Sequence, residues 1–496
     1  MAKKPVELDA NGHRKFGMID KLAYAAGDAG CNLSFGLKGT VQTFWLVYMM
    51  METGLLSILL LIVQAWDAIN DPIIGAMIDA DQRKYKMGKF KSYIFIGAIG
   101  LIVGGAAVFL PFPDAGPVLK AVLFILGYII WDAAYTMANV PYGSMLSLVT
   151  EDAGERAQLS TWRSVGGMVG GMLPGIILPM IIWQDVVDES TGEVLGQTLL
   201  GGRVFWAALL MGGLAFAFFM FMIKKITLRV DEYSVKTTEE TQKFNVIRAF
   251  GNFIKNRPAV GATIAAMGMF LGMQSATTAN SIMFAAYFKQ AQLSGLVMMV
   301  GFLPMFIFMP FIKKLVNKFG KKEAATAGTI VSLVGGLVML LFPMVPMGLA
   351  LPIYMVGLIL FGLGMGVYTC VSWAMMSDAI DYNEWKFGTR EEGTVYSLHS
   401  FFRKLAQGIG PSIVIALLGA IGYIEELGTT GQSESVVIGS CWLVAGLYLF
   451  SAVCQFVGIG LIFNLDKKTL AKMHEELAIS RGTAEAAEAA EVVEEV

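Results

Sequence analysis

Two acidic residues and an amide lie within one helical turn of each other in an otherwise apolar stretch. In the segment QAWDAINDPIIG, Asp67, Asn70 and Asp71 are spaced i, i+3 and i+4, which places three oxygen-bearing side chains on one helix face. A charged side chain inside a membrane helix costs about 2.5–3.5 kcal/mol on insertion scales, so it is expected to have a partner or a task. Hard oxygen ligands suit Na+ or a proton. The spacing therefore predicts a cation site, with a hydrogen-bonded network to Arg or Lys of a neighbouring helix as the alternative.

A second polar stripe occupies residues 132–139. Asp132, Thr136 and Asn139 are spaced i, i+4 and i+7 and share a helix face. Thr136 is expected to add an oxygen to the cation site, whereas Asp132 and Asn139 are expected to bind a substrate rich in hydroxyl groups. Hydrogen bonding between helices is the alternative for this stripe.

Further polar side chains in apolar stretches are candidates for binding the substrate. Asp28 and Asn32 are spaced i and i+4 on one helix face. Lys38 either faces a substrate or an acid in a cavity, or is buried as a counter-charge. Arg163 and Lys404 can hold sugar hydroxyls or a carboxylate, and otherwise they anchor helix ends.

Aromatic side chains extend this set of candidates. The rings of Tyr142 and Trp373 are able to stack on a sugar ring. Apolar helices hold many aromatic residues that only pack, so packing is the alternative for both.

The elements that carry these side chains are expected to be membrane helices. Of the 496 residues, 55% are hydrophobic and 15% are charged, whereas soluble domains carry about 25% charged residues. A span needs about 20 apolar residues, so this composition suffices for roughly a dozen spans. The formal net charge of -2 excludes a strongly basic nucleic-acid-binding protein. The four Cys and three His lack the spacing of a disulfide framework, a metal site or a hydrolase centre, so no enzyme activity is expected.

The apolar stretches predict an all-α membrane protein with twelve transmembrane helices. The spans lie near 23–50, 54–79, 91–112, 117–149, 160–184, 201–223, 258–288, 292–315, 324–346, 350–380, 396–421 and 437–464. Lysine and arginine residues collect before the first span, after the second and after the eighth, which all lie on one side. A multi-pass protein of the cell membrane with both termini in the cytoplasm is therefore expected.

A faint repeat divides the chain into halves. Pro72 and Gly88 recur as Pro304 and Gly320, with an offset of 232 at both positions. Unless the match is chance similarity in an apolar chain, it indicates two six-helix halves, as in major facilitator transporters. The predicted domains are a cytoplasmic N-terminal tail at 1–22, an N-terminal bundle at 23–223, a cytoplasmic linker at 224–257, a C-terminal bundle at 258–464 and an acidic cytoplasmic tail at 465–496.

Charged loops next to the spans are candidates for gating. Asp79 and Arg83 lie in the loop after the second span, and Asp378 and Asp381 lie near the end of the tenth. Charge pairs between these segments would close the cytoplasmic side. A solvated loop is the alternative.

Three segments resemble the glycoside-pentoside-hexuronide:cation symporter family of the major facilitator superfamily. They are WDAINDPIIG, YTMANVPYGS and MMSDAIDYNEWKFGTREEG, and the resemblance extends over about residues 20–465. It implies transport of a sugar or glycoside by alternating access, coupled to Na+, H+ or Li+ and without another cofactor. It also implies that Asp67, Asn70, Asp71 and Thr136 are the cation ligands.

The resemblance is less complete at the sugar site. Asn32 and Asn139 stand where the family has acidic residues, whereas Arg163 and Lys404 are retained. The resemblance therefore argues against an α-galactoside and is compatible with an anionic sugar or a longer glycoside.

The expected partners are a small sugar or glycoside, a monovalent cation and the lipid bilayer, without nucleic acid, and the protein is expected to be a monomer. A cation-coupled carrier of lipids or lysolipids on the same fold is the alternative function. That alternative predicts an apolar cleft open to the membrane, whereas the stripe of Asn32, Asp132, Asn139 and Arg163 is polar.

Overall fold

The computed structural model describes residues 14–81, 83–150, 152–230, 246–308, 311–388, 392–477 and 479. The helices are α1 (Met18–Phe35), α2 (Lys38–Thr43), α3 (Thr53–Ala80), α4 (Lys89–Val108), α5 (Pro117–Ser144), α6 (Leu146–Val149), α7 (Ala153–Ile182), α8 (Gly201–Lys225), α9 (Val246–Lys255), α10 (Arg257–Met269), α11 (Thr277–Ala286), α12 (Leu293–Phe308), α13 (Ile312–Phe319), α14 (Lys321–Met339), α15 (Met347–Phe387), α16 (Glu392–Ala420) and α17 (Glu434–Gln455). The π-helical segments Phe44–Tyr48, Phe270–Gln274 and Phe456–Ile462 continue α2, α10 and α17.

Ten helical segments of the described ranges are long and apolar enough to cross a membrane. Helices suit such apolar runs because a bilayer offers no hydrogen-bond partner to the backbone. The prediction of a helical membrane protein is confirmed, whereas the count of twelve stays a prediction. The segments 23–50 and 292–315 account for the difference. Helix α1 ends at Phe35, and α12 is described only as far as Phe308, next to residues 309–310, which lie outside the described ranges.

The described residues form two compact units. The first unit comprises the described residues within 1–240, 278–296 and 415–437, and the second comprises those within 241–277, 297–414 and 438–496. The predicted domain boundaries stay predictions. Parts of both tails and of the central linker, at 1–13, 231–245 and 480–496, lie outside the described residues.

A two-stranded antiparallel hairpin interrupts the first unit between α7 and α8. Its strands, β1 (Trp183–Val187) and β2 (Val194–Leu199), pair from Trp183 opposite Leu199 onward. The turn contains Gly192 with φ of 72°, and Asp188 accepts hydrogen bonds there from the Ser190 backbone and hydroxyl. The sequence analysis did not predict this hairpin.

Close helix contacts at glycines position the polar side chains of the first unit. A Cβ on Gly97 or Gly104 of α4 would meet the backbone of α5, each 2.7 Å from a backbone nitrogen. On α7, a Cβ on Gly166 or Gly170 would collide with backbone carbonyl oxygens of α1. Small residues at such crossings let two helices approach closely, so α1, α4, α5 and α7 hold their polar faces in fixed positions.

The sequence repeat has a structural counterpart. Gly88 precedes α4 with φ of 90°, and Gly320 precedes α14 with φ of 107°. Residues with a side chain rarely adopt such positive φ values, so glycine is favoured at both positions. The two loops that carry the repeat therefore enter their helices in the same way.

Candidate functional site

Helices α3 and α5 bring four of the predicted residues into one hydrogen-bonded set. The Asn70 amide donates to the Thr136 hydroxyl at 2.9 Å and to Asp132 Oδ2 at 3.3 Å. The Thr136 hydroxyl in turn donates to Asp71 Oδ1 at 2.8 Å. Asn70, Asp132 and Thr136 are each at most 2% exposed. We call this set of four residues the α3–α5 cluster.

Asp67 lies one turn before this cluster on α3. Its Oδ2 accepts a hydrogen bond of 3.2 Å from the Gln64 amide. Asp67 and Asp71 both interact electrostatically with Asp132. The structure thus brings the three acids of the predicted polar stripes into one electrostatic environment.

Lys38 of α2 adds a positive charge to this environment. Tyr128, Asp67 and Asp132 are its main electrostatic partners, and its ammonium nitrogen lies 4.9 Å from the centroid of the Phe35 ring. Both placements left open by the sequence, a cation that faces an acid in a cavity and a buried counter-charge, are compatible with these partners.

The chemistry of the α3–α5 cluster fits a hard monovalent cation. The Thr136 hydroxyl uses its proton and one lone pair in the cluster, so a second lone pair is left for a cation. Within the described residues, no three acidic, histidine or cysteine side chains converge as they would around a metal ion. A cation held here would therefore use amide and hydroxyl oxygens together with the carboxylates, as Na+ readily does.

A second polar set joins α1 to α7. Arg163 Nε lies 3.0 Å from Asp28 Oδ1, and the Asn32 amide donates to Asp28 Oδ2 at 3.1 Å. The guanidinium also lies 5.1 Å from the ring centroid of Tyr142 on α5, a cation–π contact. We call Asp28, Asn32, Tyr142 and Arg163 the α1–α7 cluster. It holds hydrogen-bond donors and an acceptor at one place, whereas the Tyr142 ring is fully buried and is stacked on Tyr24, with the two ring centroids 4.7 Å apart. Stacking of a sugar on this ring stays a prediction.

The α1–α7 cluster depends on Gly167, a residue of the glycine-rich run at 166–171, which is typical of close helix packing. A Cβ on Gly167 would collide with Asp28 Oδ2 and would lie 3.1 Å from Asn32 Nδ2.

The other predicted substrate residues lie apart from these clusters or in the second unit. Asn139 is half-buried on α5, one turn beyond Thr136. In the second unit, the Trp373 ring is 48% exposed, and the Arg403 guanidinium lies 5.4 Å from its centroid. Lys404 of α16 is exposed.

The loop after α3 is organised by a residue that the sequence analysis missed. The side chain of Asp79 lies outside the described set, and Arg83 is 85% exposed. Asp81 accepts hydrogen bonds from the hydroxyls of Tyr85 at 2.6 Å and Tyr93 at 2.7 Å and from the Arg83 backbone at 2.9 Å. The Tyr85 bond, followed by those of Arg83 and Tyr93, lowers the pKa of Asp81 to about 2.

The predicted gating acids of the second unit lie near the end of α15. Asp378 is buried and forms a salt bridge of 2.6 Å with Lys321 at the start of α14. Asp381 is half-buried one turn later. The pairing of Asp378 thus lies within its own unit, and the predicted closure between loops stays a prediction.

The known proteins that this chain resembles include a symporter and a sugar transporter. The family model described as MFS/sugar transport protein matches residues 23–466. An uncharacterized symporter of Bacillus subtilis (strain 168) is 28% identical, over 96% of this chain and 98% of its own. An isoprimeverose transporter of Lactiplantibacillus pentosus is 27% identical over 92% of each chain.

A solved structure is similar as well. The D-xylose-proton symporter superposes with a TM-score of 0.53 over 87% of this chain and 96% of its own, at 15% identity. At that identity the likeness shows the fold alone. It confirms the predicted major facilitator fold.

Proposed function

Because this chain belongs to the MFS/sugar transport protein family and is a multi-pass membrane transporter rather than an enzyme, we propose that it couples sugar or glycoside uptake to a monovalent cation. The cation is Na+ or H+, and transport is by alternating access. Symport is supported by relatives that are named symporters. The protein acts in the cell membrane as a monomer with both termini in the cytoplasm.

The observation that carries cation coupling is the α3–α5 cluster. Thr136 joins Asp71 to Asn70, and Asn70 joins the cluster to Asp132, so the oxygens of two helices are held at one place. Cation binding there reduces the repulsion between Asp67 and Asp71. If the sugar binds better to the cation-loaded protein, linkage requires that the cation also binds better to the sugar-loaded protein.

The α1–α7 cluster is the proposed sugar site. The charge of Arg163 is balanced by Asp28 at 3.0 Å, so the site offers paired donors and acceptors rather than a free positive charge. Such a pair suits hydroxyl groups. We therefore propose a neutral glycoside in preference to an anionic sugar.

Uptake by proteoliposomes tests the proposal. Labelled xylosides, glucuronides, galactosides and oligosaccharides are offered with an inward Na+ gradient, with an inward proton gradient and with neither. We expect one of the two gradients to stimulate uptake of at least one neutral glycoside. Uptake of no sugar by folded protein would contradict the proposal and would favour the lipid or lysolipid carrier.

Variants of the cluster separate coupling from transport. Asp67→Asn and Asp71→Asn are each expected to abolish accumulation against a gradient, whereas the matched change Asp114→Asn in an exposed loop is expected to have no effect. Concentrative uptake at the wild-type level by either cluster variant would contradict the cation assignment.

A further inference from the structure

Asp132 has an oxygen that the hydrogen-bonded network does not use. The residue is 1% exposed, and its Oδ2 accepts from Asn70. Its Oδ1 is also buried and has no hydrogen-bond partner in the described part of the chain. A buried carboxylate oxygen without a partner is costly, and such an atom commonly marks a place for an ion or another ligand.

The charged groups that interact with Asp132 belong to the predicted cation site, apart from Lys38. Asp67, Lys38 and Asp71 interact electrostatically with Asp132. Lys38 in turn interacts with Asp67 and Asp132, and it is held beside Tyr128, which is 6% exposed. Asp132 therefore belongs geometrically to the cation site rather than to the α1–α7 cluster, although its spacing had suggested a substrate ligand.

One ammonium does not balance three ionised carboxylates. With all groups ionised, Asp67, Asp71 and Asp132 carry three negative charges against the single positive charge of Lys38. Charges a few ångströms apart interact strongly in a buried environment. A third carboxylate therefore strengthens the binding of an added cation, and a fixed ammonium weakens it.

We propose that Asp132 and Lys38 are opposing affinity-determining residues of an Na+ site at the α3–α5 cluster. Asp132 supplies an additional carboxylate oxygen toward Na+, and Lys38 is a resident positive charge that limits how tightly Na+ is held. The inference rests on the proposed function and goes beyond it, since it names the cation and two residues outside the set of Asp67, Asn70, Asp71 and Thr136. A proton needs only one of these oxygens, whereas Na+ uses several, including those of amides and hydroxyls.

The test measures equilibrium binding of radioactive Na+ alone to the purified full-length protein. Asp132→Asn is expected to raise the Na+ concentration for half-saturation about tenfold or more, and Lys38→Met is expected to lower it severalfold. The double variant is expected to lie between the two single variants. Asp114→Asn, in an exposed loop, serves as the matched control and is expected to bind as wild type.

Asp132→Glu is the control for loss of Na+ binding through misfolding. It keeps the carboxylate and is expected to bind Na+ better than Asp132→Asn. Wild-type Na+ affinity in both Asp132→Asn and Lys38→Met overturns the inference. Loss of sugar uptake by Asp132→Asn with unchanged Na+ binding also overturns it, because it assigns Asp132 to the substrate.

The outcomes separate this inference from the proposed function. A wild-type protein that binds no Na+ but takes up sugar with a proton gradient overturns the inference and leaves symport intact. A wild-type protein whose uptake responds to neither gradient contradicts the proposed function, and the inference fails with it.

Discussion

Arg163 of α7 lies 3.0 Å from the carboxylate of Asp28 on α1, across a helix contact that is packed at glycines. The guanidinium is 37% exposed and the carboxylate 12% exposed. Solvent reaches the guanidinium and screens the pair, which limits its contribution to stability, so we ascribe its value to the geometry that it gives to Asn32 and Tyr142. The contact links helix packing directly to the proposed sugar site.

Removing the charge of Arg163 is expected to weaken sugar binding. Arg163→Gln loses both the pairing with Asp28 and the contact with Tyr142, and we expect KM for the transported sugar to rise about tenfold or more. Arg163→Lys is expected to recover only part of this loss, because an ammonium lacks the planar donors of a guanidinium. Uptake kinetics in proteoliposomes measure both.

Two further variants serve as controls for that prediction. Arg203→Gln removes an exposed arginine of α8 and is expected to leave KM unchanged. The double variant Asp28→Asn with Arg163→Gln removes both charges. Wild-type KM in the double variant would contradict a role in binding and would indicate that the pair only stabilises the helix contact.

A single methyl group at Gly167 is expected to disturb the same site. The Cβ of Gly167→Ala would collide with Asp28 Oδ2, so the carboxylate must move away from Arg163. Gly171→Ala is the matched control on α7, since its Cβ meets nothing within 4 Å. Alanine gains about 1 kcal/mol over glycine in a helix, so Gly171→Ala is expected to keep wild-type uptake with equal or higher stability.

The measurement for the glycine pair is the sugar KM together with the thermal unfolding temperature. We expect Gly167→Ala to raise KM and Gly171→Ala to leave KM unchanged. Equal KM values for the two variants would show that Asp28 is free to shift without consequence for the sugar.

Spacing along one helix predicted that part of the α3–α5 cluster shares a helix face. The i, i+3, i+4 pattern of Asp67, Asn70 and Asp71 determines that they share a face of α3, whatever packs against it. That Asn70 contacts Asp132 required knowing that α3 lies beside α5 and at what height. This is a property of the packed structure, which spacing along one helix does not predict, and the assignment of Asp132 to the substrate stays a prediction.

The loop and the hairpin show why other features were not predicted. Asp81 owes its bonds to Tyr85 and Tyr93, and the second of these lies on a different helix. The spacing of the residues along the chain did not distinguish Asp81 from Asp79. The hairpin around Gly192 lies between two apolar helices, and its strands are too short to be recognised as membrane spans.

The contacts of Asp81 predict that its substitution changes sugar uptake by the same factor at all pH values near neutrality. The folded-state pKa of about 2 is lower than the unfolded value of about 3.9, so the contribution of ionised Asp81 to stability is complete above the unfolded value and is lost as the pH falls toward 2. Any change in uptake caused by Asp81→Asn should therefore be the same at all values between about pH 5 and pH 8. Uptake rates of variant and wild type across that range measure it. A ratio that varies within the range would contradict ionised Asp81 as the working form.

Gln197 of β2 attaches the hairpin to two other segments of the first unit. Its side-chain oxygen accepts from the Ala291 backbone, its amide donates to Asp185 at 2.5 Å, and its carbonyl accepts from the Thr429 hydroxyl. The residue is 1% exposed. Substitution of Gln197 keeps the hydrogen bond from Thr429 to the backbone carbonyl but removes the two hydrogen bonds of the side chain.

Gln197→Ala is therefore expected to destabilise the protein. It leaves the buried Ala291 N–H without its acceptor, at a cost of about 1–3 kcal/mol, which corresponds to a fall of a few degrees in the unfolding temperature. Gln184→Ala on the paired strand β1 is the control, because Gln184 is exposed. Thermal unfolding of both variants in the same detergent measures the difference. An equal unfolding temperature for the two would mean that water or a shifted backbone satisfies Ala291, and that the hairpin is attached by its apolar contacts instead.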